Sequence, residues 1–83
     1  MQYTQEEKSM LESVNKIGVE MSSVNIDFIF ILLSPYMDHL MTFLKRLNSI
    51  EMQTVFIKYD GVMKIMKMME ESAQQMKKEF GLR

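Results

Sequence analysis

From Met10 the apolar side chains fall at Met10, Val14, Ile17, Met21 and Val24, with gaps of four and three in alternation. The same beat returns at Met52, Val55, Tyr59, Val62, Met66, Met69, Ala73, Met76 and Phe80. Helical winding turns such spacing into a narrow apolar seam, whereas a strand repeats every second residue over a shorter window. Between the two series, residues 26–47 wind at about 100° per residue. That places Ile26, Ile29, Phe30, Leu33, Met37, Leu40, Met41, Leu44 and Leu47 on one broad arc.

Boundary signals give three helices. Thr4 followed by Glu7 is a capping box that opens a helix over 5–22. Asn25 with Asp27 opens a second over 26–47, because a short polar oxygen satisfies free N–H groups and an acid suits the positive end. Ser49, preferred to Asn48 as the cap, opens a third over 50–80, and Gly81 stops it. Pro35 lies inside the second helix, where it removes a backbone donor, so a kink is expected near Ser34-Pro35. The fold class is therefore all-α: a helical hairpin or three-helix bundle with a long C-terminal helix, forming one domain over 1–83.

An α/β alternative in the order α-β-α-β-α reads "VNIDFIFILL" (24–33) and "TVFIKYDG" (54–61) as strands, on their β-branched and aromatic content. Against it, the seam crosses Gly61 without slipping, and two strands alone make a poor sheet. The third helix is accordingly expected to be a single rod reaching about 45 Å, against about 27 Å for the first. Its Met76–Phe80 end then overhangs.

The middle helix raises a further point. Behind its apolar arc, the C-terminal half carries Asp38, His39, Thr42 and Arg46, a wet face, but the N-terminal half carries Phe28 and Ile31. A helix apolar all round needs cover all round. Contact with the first or third helix would supply it, as would a second copy or another protein. Candidate partner-binding residues are therefore Phe28 and Ile31, then Met69, Met76 and Phe80 on the overhanging seam.

Composition narrows the rest. Apolar residues make up 47% and charged residues 25%, a globular balance rather than a disordered one. There is no cysteine, which excludes disulfides and thiolate metal sites, so self-association or docking is the expected supplement for so short a chain. Methionine supplies 11 of the 83 residues, including "VMKIMKMMEE" at 62–71. Met63, Met66 and Met69 have M-x-x-M spacing, but the stripe they join also takes Val, Tyr and Ala. Adaptable packing explains them better than a soft-metal site, and neither metal nor cofactor is expected. Met68 and Ile57 point away from the seam, as a small second contact surface or as isolated surface residues.

No catalytic constellation emerges. Asp38 and His39 are adjacent and diverge on a helix, as do Glu6-Glu7 and Glu70-Glu71, and the three glycines form no phosphate loop. Net charge is −1. Residues 1–24 hold four glutamates against two lysines; residues 52–83 hold six bases against four acids, a modest dipole that suits pairing of opposite ends. Lysines interleaved with Glu70, Glu71 and Glu79 make a weak nucleic-acid surface. The longest apolar run, Phe28 to Leu33, is too short for a membrane span, and the polar N-terminus lacks signal-peptide character.

The sequence thus predicts a cytoplasmic, non-enzymatic protein–protein interaction module: an adaptor, assembly chaperone or small regulator. It would act through Met-rich apolar helix faces as a homodimer or in a hetero-complex, without a small-molecule substrate. The alternatives are a nucleic-acid-binding regulator using Lys45, Arg46 and the third-helix lysines, and a peripheral membrane helix presenting Tyr59 and Phe80.

Overall fold

The computed structural model describes residues 2–20 and 25–81, and the regular structure among them is entirely helical. In chain order the elements are α1 (Gln5–Glu20), α2 (Ile26–Leu33), a 3-10 turn (Ser34–Tyr36), α3 (Met37–Lys45), α4 (Ser49–Lys58) and α5 (Asp60–Glu79). The all-α class and the long C-terminal helix stand. The α-β-α-β-α alternative does not, because Ile26–Leu33 and residues 54–58 are helical and no strand occurs among the described residues. The expected continuation of α1 to residue 22, with Met21 and Val24 on its seam, lies outside the described residues.

Local chemistry sets most of the ends. At α1 the Thr4 N–H donates to Glu7 Oε1 at 2.9 Å and the Glu7 N–H donates to Thr4 Oγ1 at 3.0 Å, the reciprocal capping box. Asn25 Oδ1 accepts from the Asp27 N–H at 2.8 Å and opens α2. The middle helix is not continuous from 26 to 47. Pro35 withholds its donor, and the chain tightens into the 3-10 turn at the expected kink before α3 resumes. The cap of α4 is Asn48, not Ser49: Asn48 Oδ1 accepts from the Glu51 N–H at 2.8 Å while Glu51 reaches back to the Asn48 N–H. Gly81, at φ 66°, ends the chain of helices in the left-handed region that glycine enters most easily.

The single rod over 50–80 is corrected to two helices. Tyr59 takes φ −122° and ψ 78°, outside helical geometry, and α5 restarts at Asp60. Gly61 shows why. Its N–H donates not along the helix but to Asn15 Oδ1 of α1, at 2.7 Å. Gly18 faces it so closely that a Cβ on Gly18 would stand 2.1 Å from the Gly61 carbonyl oxygen. Backbone meets backbone at this crossing, which only a pair of glycines permits. The break orients α5 into this contact, and α1 shares its most extensive interface with α5 while also touching α2 and α3.

The core that results comprises Met10, Leu11 and Val14; Ile29 and Leu33; Leu40, Phe43 and Leu44; Val55 and Tyr59; and Val62 and Ile65. Every element but the 3-10 turn contributes to it, and each fully buried aliphatic side chain stabilises by about 1.5–3 kcal/mol. Tyr3 closes one side, its ring 5.9 Å from that of Phe43 and 6.3 Å from that of Tyr59. The Lys58 ammonium lies 5.2 Å and 5.6 Å from the two tyrosine ring centres. The buried face of α5 is rotated from the predicted seam: Ile65, which the seam leaves out, is fully buried, whereas Met66, which it includes, is only partly so. Met68, expected to point away, packs against the core.

Glu7 links the ends of two helices. Beyond its cap bonds, its carboxylate accepts from the Arg46 guanidinium just past α3. The Thr4 backbone N–H, with Arg46 adding to it, holds the Glu7 carboxyl below the usual carboxylate range, against the opposing pull of burial. Burial, with the Glu12 charge and Tyr3 nearby, pushes the Tyr59 phenol up.

Candidate interaction surfaces

The residues that sequence reasoning placed on an outer face of α2 are on the surface. Ile29 and Leu33, one helical turn apart, are buried, so α2 turns Phe28 and Ile31 outward, with 46% and 68% of their surfaces exposed. Their spacing of three sets both on one side of the helix, beside the exposed Asp27. No charged residue other than Asp27 lies between Ile26 and Pro35. The chain therefore presents two bulky side chains to solvent from its most apolar helix.

A second apolar surface is the end of α5. Met66, Met68 and Met69 still touch the core, Ser72 is half-buried, and from Ala73 to Gly81 every residue is exposed. Met76 and Phe80 are 54% and 70% exposed, although they continue the register of the methionines before them. Met69 sits at the transition and, with Phe30, Met37 and Ser72, lines an apolar groove of about 270 Å³ between α5 and the α2–α3 segment. The five residues expected to bind a partner therefore do not form one patch. Phe28 and Ile31 define one surface, and Met69, Met76 and Phe80 lie along another helix.

A third surface was largely missed by sequence reasoning. Ile50 and Ile57 are 76% and 84% exposed, and Ile57 shares a groove of about 420 Å³ with Gln53, Phe56, Asp60 and Met63. The signal that could have found it is the spacing of seven between Ile50 and Ile57, outside the seam of α4. Met63 belongs to this groove rather than to a methionine cluster.

The polar candidates are dispersed. His39 is exposed and lines a shallow depression with Gln5, Glu6, Ser9, Met10 and Tyr36, where no hydrogen bond orients its ring among the described residues. No cluster of three or more His, Cys, Asp or Glu side chains with metal-binding placement occurs among the described residues. Several cations already have company: Arg46 with Glu7, Lys58 over the tyrosine rings, and Lys64 with Asp60 at 3.4 Å. Counted through its 3-10 turn, Ile26–Lys45 is 20 residues long and holds an 18-residue window of mean hydropathy 1.2, enough by length and composition to cross a membrane. In the fold, the same segment contributes Ile29, Leu33, Leu40, Phe43 and Leu44 to the core. Set against protein-family models, curated proteins and solved structures, the chain matches none.

Proposed function

We propose that the protein is a non-enzymatic protein–protein interaction module, an adaptor or small regulator, whose outward α2 face docks on another protein. The observation that carries this reading is the exposure of Phe28 and Ile31 on a helix whose opposite side is already committed to the core. A contiguous exposed apolar patch rimmed by polar residues marks an interaction site, and aromatic side chains are frequent anchors at the centres of interfaces. A partner offering a hydrophobic groove would bury both side chains as a short helix-in-groove contact. Asp27 at the edge of the face favours a lysine or arginine on the groove's rim.

The test compares wild-type protein with a Phe28→Asp/Ile31→Asp variant as bait in extracts of the source cells. Circular dichroism first establishes that both are folded. The reading requires a protein that binds wild-type bait, fails to bind the variant, and repeats this behaviour when purified. If every purified binder holds both baits equally well, the α2 face is not the docking surface.

The hydropathy of Ile26–Lys45 favours a second reading, in which the same face lies on a lipid surface. Flotation with vesicles of phosphatidylcholine and phosphatidylglycerol distinguishes the two: co-flotation lost in the double variant supports lipid, and wild-type protein left at the bottom removes that reading.

A further inference from the structure

We infer that the exposed end of α5 is a self-recognition surface, pairing antiparallel with α5 of a second copy of this chain. Ala73 to Phe80 extend past the core as turns of helix exposed on all sides, yet they keep the apolar three-and-four spacing of the preceding seam. A helical end of this length has little stability of its own in water and gains most from a partner along its apolar stripe. Met69, Ala73, Met76 and Phe80 occupy alternating d and a positions of a coiled-coil seam. In an antiparallel pair, a packs on d. Phe80 of one chain then meets Met69 of the other, and Ala73 meets Met76, a large residue opposite a small one in the central layers.

Charge selects this occupant and this direction. Glu70 and Lys77 both fall at e positions of the seam and both are exposed. Within one chain they are two turns apart, about 10 Å along the axis, too far to pair directly. In the antiparallel arrangement the e positions of the two chains flank the same side, so Glu70 of each copy faces Lys77 of the other, and symmetry makes the contact twice. A parallel pair would stack Phe80 on Phe80 and set Lys77 opposite Ser72, with no charge satisfied. The seam is short, so the dimer is of the weak, concentration-dependent class that buries less than about 1,200 Å².

Light scattering after size exclusion, and sedimentation equilibrium, give the test. At about 100 µM, wild-type protein is expected to approach twice the 9.9 kDa mass of one chain, and to return to one chain on dilution. Glu70→Lys places Lys against Lys77 twice, and Lys77→Glu places Glu against Glu70 twice. Each variant alone is expected to dimerise about five- to tenfold more weakly. Mixed in equal amounts, the two variants restore both pairs, so the mixture regains wild-type affinity. A monomeric wild-type chain at about 100 µM overturns the inference, as does a dimer indifferent to either substitution or a mixture no tighter than its components. Phe28→Asp/Ile31→Asp leaves this dimer intact, so its loss in that variant also counts against α5 pairing. The α2 reading is unaffected by failure here, because none of these α5 residues belongs to it.

Discussion

Replacing Gly18 with alanine sets two opposing effects against each other, and the structure decides which wins. On intrinsic helix propensity the change is favourable, since alanine is better than glycine in a helix by about 1 kcal/mol. In place, the new methyl would stand 2.1 Å from the Gly61 carbonyl oxygen, 2.6 Å from its carbon and 2.8 Å from its Cα. These are backbone atoms of α5, so no rotamer change relieves the overlap. The helices must separate, and the first bond to break is the one from the Gly61 N–H to Asn15 Oδ1.

Overpacking a tight site costs about 1–3 kcal/mol, and a clash with rigid backbone belongs at the upper end. Set against the propensity gain, the net is a loss of about 2 kcal/mol, from a total of about 4–12 kcal/mol for a chain of this length. For a domain of this size that lowers the melting temperature by about 8–16 °C. Thermal unfolding followed by circular dichroism at 222 nm reads the shift. Gly18→Ala melting at or above wild type would mean that propensity governs and that α1 and α5 do not cross at these glycines. Gly61→Ala, whose methyl would meet the Asn15 carbonyl oxygen at 2.0 Å, should behave alike. The double substitution should lose less than the sum, because both force apart the same pair of helices.

Three smaller changes probe other parts of the fold. Tyr59 buries a hydroxyl that finds no hydrogen-bond partner among the described residues, so Tyr59→Phe should raise stability in urea by up to about 1 kcal/mol, and a loss would imply a bond to that oxygen. Glu7 has a lowered pKa in the fold, so its ionised form adds stability above the ordinary carboxylate range, and that contribution disappears as pH falls through the folded value. Glu7→Gln keeps a capping-box side chain without the charge. Its stability should approach that of wild type as the solution is acidified, and a gap unchanged by pH would refute the charge's role. Asn48→Ala removes the α4 cap and should lower stability by about 1 kcal/mol in the same denaturation assay, whereas Ser49→Ala should change little.

Much of the architecture was legible because short-range chemistry dictates it. The Thr4–Glu7 capping box, the Asn25 cap, the break around Pro35 and the stop at Gly81 each depend on groups within a few residues of one another. Even the α4 cap had a local signal, since Glu51 stands three residues after Asn48 and completes the box there. The break at Tyr59 had none. An apolar seam with correct spacing on both sides of a single non-helical residue reads the same whether the helix continues or restarts. The reason for the restart lies on α1, in Gly18 and Asn15, and only tertiary contact brings those residues to Gly61. Once α5 begins anew its phase is fixed by that crossing, which is why Ile65 replaces Met66 at the centre of the buried face and Met68 turns inward. The outward aspect of Phe28 and Ile31 followed from winding alone, as did that of Ile57; its companion Ile50 did not stand out, because a helix with one assigned apolar side draws no attention to the other.

The placement of the glycine crossing also explains where apolar surface is left over. Gly61 is the second residue of α5, so this backbone-to-backbone contact is made at the very start of a 20-residue helix. Cover then fades along it, from Val62 and Ile65 fully buried, through Met66, Met68 and Met69 partly so, to Met76 and Phe80 mostly in solvent. The crossing at Gly61 therefore leaves the far end of α5 free. This chain leaves free the end that carries Glu70 and Lys77 at matching positions of the seam, an arrangement a solitary helix gains nothing from and a reciprocal pair uses twice.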